Sequence, residues 1–165
     1  MNIEISLADY HNVEDGADLL ALLDAYARDP MGGGQPLPQD VQARLLPELA
    51  SRPWAFTVLA RVGADAVGLI NCLEGFSSFA ARPLVNIHDV VVLPAWRGRG
   101  ISRLMLEKVE EVALDRGCCK LTLEVLEGNR SARQAYQKFG FSAYTLDERQ
   151  GAAMFWQKSL TARTE

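Results

Sequence analysis

The residues with the clearest chemistry in this 165-residue chain are Arg97, Gly98, Arg99, Gly100, Ile101, Ser102 and Arg103. They follow the apolar run Val90-Val91-Val92-Leu93-Pro94 and open an amphipathic stretch that begins at Ile101. A buried strand therefore runs into a glycine-rich turn that starts a helix. The first N–H groups of a helix have no internal acceptor, and the helix dipole places positive potential there. Glycines let the main chain come close to an anion. Arg97, Arg99 and Arg103 add positive charge, and no acid stands between Asp89 and Glu107. The combination suits a diphosphate. It also fits a plain strand-to-helix turn whose glycines serve geometry alone. Two other phosphate patterns fail on spacing. A dinucleotide fingerprint needs glycine where Arg103 stands, and a P-loop needs Gly-Lys followed by Ser or Thr.

A second group lies about 30 residues on, at Asn129, Ala132, Tyr136 and Gly140-Phe141. Positions 129, 132 and 136 share one face of a helix. Two turns, about 10 Å, separate the first from the last. Asn129 and Tyr136 could line one extended ligand. Asn129 also suits a helix cap, and Tyr136 a core tyrosine with a satisfied hydroxyl.

The elements that must position these groups follow from apolar periodicity. Ile3, Ile5 and Leu7 predict a strand, Asp15 to Arg28 a helix, and Gln39 to Ala50 a second helix after a breaker-rich loop at 29–38. Trp54 to Val62 and Ala66 to Leu73 read as a hairpin, followed by a turn segment from Gly75 to Pro83. Val85 to Leu93 reads as a strand, Ile101 to Arg116 as the strongest helix, Lys120 to Leu126 as a strand, Asn129 to Phe139 as a helix and Ala153 to Ser159 as a last strand. The order predicts a single α/β domain over 1–165. Its mixed sheet has one parallel crossover, from Ile87–Leu93 to Lys120–Leu126 through the central helix.

Arg97-x-x-Gly100-x-Ser102 resembles the Arg/Gln-x-x-Gly-x-Gly/Ala signature of the GNAT superfamily of N-acetyltransferases, with Ser102 in place of the small final residue. Asn129-x-x-Ala132-x-x-x-Tyr136-x-x-x-Gly140-Phe141 resembles a later segment of the same superfamily. The resemblance covers Val85 to Phe141 and the element order. It implies a mostly antiparallel sheet with one splayed parallel pair and helices on both faces. It further implies an acetyl-CoA-dependent N-acetyltransferase whose co-substrate lies between the splayed strands. Val90, Val91 and Val92 would line the pantetheine arm. Gly98 to Arg103 would hold the diphosphate with Arg97, and Asn129 would contact the arm. The N–H of Val92 would stabilise the oxyanion, and Tyr136 would act as the acid for the departing thiolate.

An alkylamine is mostly protonated at pH 7, so a base must take its proton. Asp89, Glu124, Glu74 and His88 are the candidates. Asp89 and Glu124 fall in strands expected to be buried, where a carboxylate without a role is costly. Each also fits a structural hydrogen-bond partner. His88 and Asp89 are neighbours on a strand, so they share a site only through a bulge. The segment Phe76 to Val92 resembles that of polyamine acetyltransferases, with His88-Asp89 where two adjacent acids stand. Tyr26, Asp29, Glu74, Phe76 and His88 are expected to build the acceptor pocket for a small-molecule amine. The alternatives are a CoA-binding module without turnover, and transfer to protein N-termini, lysines or charged tRNA.

Composition narrows the classes. Net charge is −4, from 17 basic and 21 acidic residues, which argues against a nucleic-acid partner. Three cysteines, two of them adjacent, and two histidines give neither a disulfide framework nor a zinc pattern, so no metal is expected. Cys72, Cys118 and Cys119 read as packing residues. No leader or membrane span is expected, which suggests a cytoplasmic protein. A homodimer is an expectation from the resemblance alone.

Overall fold

Alternating apolar side chains between Ile3 and Val92 build four strands that pair in chain order. The computed structural model describes residues 2–145 and 147–160. Strand β1 (Ile3–Leu7) is followed by helices α1 (Val13–Arg28) and α2 (Gln39–Ala50). Then come β2 (Ala55–Val62), β3 (Asp65–Ser77), β4 (Arg82–Val92), α3 (Ile101–Asp115), β5 (Leu121–Leu123) and α4 (Arg130–Phe139). The sheet order is β1-β2-β3-β4-β5. The first three pairings are antiparallel and the β4–β5 pairing is parallel. This is the mixed α/β architecture expected from the sequence.

Each sheet face buries its own core. On one, Phe56, Val58, Ile70, Val85 and Ile87 pack against Ile101, Met105, Leu106 and Val109 of α3. On the other, Leu59, Leu69 and Val91 pack against Leu19 and Leu22 of α1, with Leu45, Leu46 and Leu49 of α2 alongside. Burying one such side chain is worth roughly 1.5–3 kcal/mol. Helix α3 lies close on the sheet at Gly68, where an added Cβ would stand 2.9 Å from Met105 Cε and 3.1 Å from the Val91 carbonyl oxygen.

Val85 and Ile87 face α3, whereas Val91 faces α1, although all three numbers are odd. A bulge reverses the parity. Asn71 pairs with Asp89 and Cys72 with Ile87, which leaves His88 unmatched. After it, Asp89 follows Val91 in side-chain direction, and Val90 and Val92 pack towards α3.

Several expected boundaries move. The segment from Gly75 to Pro83 is not one turn: Gly75 pairs with Leu84, Phe76 with Pro83 and Ser77 with Arg82. The turn shrinks to residues 78–81, and Ala81 takes a left-handed φ of 49°. Strand β5 has three residues rather than the seven expected, because the ladder with β4 ends at Ile87–Leu123. The last strand, Ala153 to Ser159, does not form; the region holds one isolated bridge, Thr145 to Ala152. β-forming composition there found no strand edge to pair with, and Met154, Phe155 and Trp156 are exposed. No helix among the described residues is long and apolar enough to cross a membrane.

One ion-pair cluster ties α1 to the sheet. Arg61 Nη2 reaches Asp15 Oδ1 at 2.7 Å and Asp18 Oδ2 at 2.6 Å, with all three side chains mostly covered. Removing the cation leaves two carboxylates one helical turn apart. Arg61→Met should lower unfolding free energy by about 2–3 kcal/mol in urea titrations. Adding Asp18→Asn should restore part of it, and an unchanged midpoint for the single variant contradicts this role.

Candidate functional site

Strands β4 and β5 pair only at Val85–Leu121, Asn86–Thr122 and Ile87–Leu123. Beyond that point β4 continues to Val92 with a partner on its β3 side only. The N–H of Leu93 donates to the Val67 carbonyl on that side at 3.0 Å. A residue's N–H and C=O share a side in an antiparallel pair and alternate along the strand. The main-chain groups of Val90 and Val92 therefore face the open edge. A cleft of about 1390 Å³ fills the splay. It is bounded by β4, β5, the start of α3, α4 and the end of α1.

The glycine-rich turn forms the cleft's end. Gly98 and Gly100 have φ of 75° and 80°, the left-handed region where glycine alone is unstrained. Gly100 is the N-cap of α3, and among the described residues no side chain caps the helix. The first bond from the turn into the helix is Leu104 N–H to the Gly100 carbonyl at 3.2 Å. The N–H groups of Ile101, Ser102 and Arg103 lie ahead of it, without an intrahelical acceptor. An added Cβ at Gly98 or Gly100 would meet nothing within 4 Å, so the protein's own packing does not exclude a side chain there.

The arginines divide their work. Arg97 Nε donates to the Val92 carbonyl at 3.0 Å, and its Nη2 pairs with Asp29 Oδ2 at 3.0 Å. Its guanidinium thus fastens the end of α1 to β4 instead of standing free for an anion. Arg99 lies 4.9 Å over the Trp96 ring and is not a cleft wall, and Arg103 pairs with Glu107. Asp29 also accepts from Met31 N–H at 2.9 Å. That bond first, and Arg97 second, hold its carboxyl below the usual aspartate range. The loop's other end is tied where Leu37 N–H donates to Asp24 Oδ1 at 2.8 Å.

At the start of α4, the Asn129 side-chain oxygen accepts from Ala132 N–H at 3.2 Å and caps the helix. Tyr136 lies two turns along the same face and is half-buried, its ring 6.0 Å edge-on from Phe141. Burial, with Tyr26 nearby, pushes its phenol up to about 12. Both residues line the cleft.

Of the acceptor-side residues, Tyr26, Asp29 and His88 line the cleft, while Glu74 and Phe76 are not among its walls. Glu74 pairs with Arg116 at the C-terminal end of α3, and Phe76 is exposed near the hairpin tip. Glu124 lines the cleft but is exposed rather than buried, because β5 ends one residue earlier. It accepts from Asn86 Nδ2 at 3.2 Å. Asp89 is partly buried, lies near Tyr26 and accepts from Asn71 Nδ2 at 3.0 Å. At the bulge His88 lines the cleft, whereas Asp89, on the α1-facing side, is not among its walls. Among the described residues no cluster of potential metal ligands occurs.

Sequence reasoning missed Asn71, Thr57 and Tyr10, which form a polar line beneath Asp89. The available signal was Asn71, one amide inside the apolar run Val67–Leu73.

A model of the acetyltransferase (GNAT) family matches residues 19–141. Thialysine N-ε-acetyltransferase of Bos taurus is 42% identical over 67 residues, covering 41% of this chain and 38% of that protein. Streptothricin acetyltransferase of Streptomyces lavendulae is 38% identical over 85 residues, covering 50% and 45%. The matched stretch thus spans less than half of either relative. Among solved structures, an aminoglycoside N-acetyltransferase in complex with CoA superposes with a TM-score of 0.73 at 18% identity, over 95% of both chains. An aminoglycoside acetyltransferase from an uncultured soil metagenomic sample gives 0.78 at 14% identity, over 96% and 97%. These likenesses establish a shared fold.

The buried phenol gives a ligand-free test. With carbon-13-labelled tyrosine, the resonance lost in Tyr136→Phe should remain that of a neutral phenol at about pH 10.5, where a free tyrosine is mostly ionised. Ionisation near pH 10 contradicts the burial described.

Proposed function

The chain belongs to the acetyltransferase (GNAT) family, and on that premise we propose that it moves an acetyl group from acetyl-CoA directly to a primary amine of a small molecule. The observation that carries this reading is the continuity between the unpaired edge of β4 and the uncapped opening of α3. The edge presents the main-chain groups of Val90 and Val92 to an extended, amide-bearing arm. The helix opening presents three N–H donors to a diphosphate, with positive-φ glycines beside it. The cleft volume exceeds the roughly 300–1,000 Å³ of common small-ligand pockets, as a long ligand requires.

Bound acetyl-CoA supplies a thioester open to attack by an amine. Everything else falls to the chain. The Val92 N–H lies on the open edge, where it can stabilise negative charge on a carbonyl oxygen. Tyr136 holds a proton at Oη for a departing sulfur. A phenol at about 12 is a weaker acid than a thiol of about 8.5, so it acts first as a hydrogen-bond donor. Asp89 takes the amine proton from the α1 side, with Tyr26 and His88 beside it and Glu124 across the cleft as the second acid. Asp29 shapes the acceptor lip through Arg97 rather than binding the amine itself. The names of the relatives, thialysine, streptothricin and aminoglycoside acetyltransferases, support an amine acceptor.

Thiol release from acetyl-CoA against a panel of primary amines tests the reading. Acceptor-dependent release is expected, and tight binding without release on any amine would favour a regulatory module. Tyr136→Phe should lower kcat about 100-fold with little change in KM for acetyl-CoA. Equal kcat removes Tyr136 from the chemistry. Gly100→Ala adds a methyl into open space at a left-handed φ, at a cost of roughly 1–2 kcal/mol. Calorimetry should show a folded protein with at least about tenfold weaker acetyl-CoA binding, because the methyl stands where the ligand's phosphates approach. Unchanged affinity would contradict the cradle.

A further inference from the structure

Four polar side chains cross the α1-facing side of the sheet in a line. Thr57 on β2 pairs in register with Asn71 on β3, and Asn71 pairs in register with Asp89 on β4. Thr57 Oγ1 lies 2.7 Å from Asn71 Oδ1, Asn71 Nδ2 lies 3.0 Å from Asp89 Oδ2, and Tyr10 Oη lies 3.0 Å from Thr57 Oγ1. Thr57 and Asn71 are 1% and 8% exposed, the polar residues among the described core. Burying such groups costs free energy unless every one is paired, and here each is. An apolar pair at 57 and 71 would have packed this face more cheaply.

The chemistry fixes the direction of every proton. An ionised carboxylate only accepts, so Asn71 must turn its NH2 to Asp89 and its carbonyl to Thr57. Thr57 then donates its single proton to Asn71. Tyr10 has no choice but to donate to Thr57 Oγ1. Burial raises the Tyr10 phenol above its ordinary value, so the donor stays protonated. The line ends on Oδ2, and among the described residues no hydrogen bond reaches Oδ1. The bulge at His88 puts Asp89 in this register; without it the carboxylate would face α3.

We infer that Asn71, Thr57 and Tyr10 are positioning residues: a directed donor chain that fixes the Asp89 carboxylate through its Oδ2 and leaves its Oδ1 for the acceptor amine. The inference rests on the transferase reading only for the identity of what meets Oδ1. Donors to the charged form of an acid lower its pKa, and losing them raises it. The ionisable groups around Asp89 are Tyr26 from α1, Cys72 from β3 and the adjacent His88 on β4. Arg116 acts on this region through Tyr10 and Cys72. Burial pushes the Cys72 thiol up, so it adds no charge near neutrality.

The test is a carbon-13 titration of labelled aspartate carboxyls in the full chain, with Asp89 assigned by Asp89→Asn. Asn71→Leu should raise the Asp89 midpoint by about one pH unit, and Thr57→Val by about half as much. Thr57→Ser keeps the hydroxyl and should restore the wild-type value. Should Asn71→Leu fail to fold, Thr57→Val and Tyr10→Phe carry the comparison, with Tyr10→Phe giving the smallest rise. Folded variants whose midpoints match wild type overturn the inference. In kinetics, the acidic limb of kcat/KM for the amine should move up with the midpoint, while KM for acetyl-CoA stays put. A merely structural role would lower thermal stability and leave that limb in place. Shifted midpoints without acetyl transfer on any amine keep the donor chain and reject the transferase. Transfer with unshifted midpoints does the reverse.

Discussion

Five residues of β4, His88 to Val92, run past their last pairing with β5. Buried main-chain N–H and C=O groups must find partners, so a strand with one edge left open inside a sheet is a costly arrangement. The chain relieves part of this itself, since Arg97 donates to the Val92 carbonyl. The remaining edge faces a cleft and not a packed neighbour. The core on the α3 side continues beneath it through Ile87 and Val90, so the opening is held by ordinary apolar packing. A short β5 and a long β4 are therefore one feature. The first ends, and the second runs on beside the cleft.

The bulge at His88 is the second half of the same construction. It turns Val90 and Val92 towards α3 and Asp89 towards α1. One strand thereby presents main-chain groups at its open edge and a carboxylate on its α1-facing side. One unmatched residue achieves this, and the ladder stays paired on both sides of the shift.

Periodicity made most of the scaffold legible. Helix α3 and α4 announced themselves through apolar spacing and terminal glycines, and β1 to β4 through alternation. The glycine and arginine positions of the α3 opening were readable because backbone geometry restricts which residue types fit there. Pairing partners were not readable. Ala153 to Ser159 carried the composition of a strand without an edge to join, and β5 lost residues because its neighbour departs. Glu124 looked buried only while β5 looked long. Glu74 and Phe76 looked like acceptor residues while Gly75 to Pro83 looked like a turn beside the cleft. Extending the hairpin to Ser77 carries both away from it. Asn71 and Thr57 stayed hidden because a lone polar residue in an apolar strand has no meaning until its cross-strand neighbour is known.

The segment between Asp29 and Leu37 is fastened at both ends, by Arg97 and by Asp24, and holds little apolar surface in between. Between those two ties Gly32 packs on the end of α1, where an added Cβ would collide with the Tyr26 carbonyl oxygen, and Gln35 N–H donates to the Ala27 carbonyl at 3.0 Å. Such a span leans on α1 and on Arg97 rather than on the strands, so a change at its outer positions leaves the sheet undisturbed as long as those contacts survive.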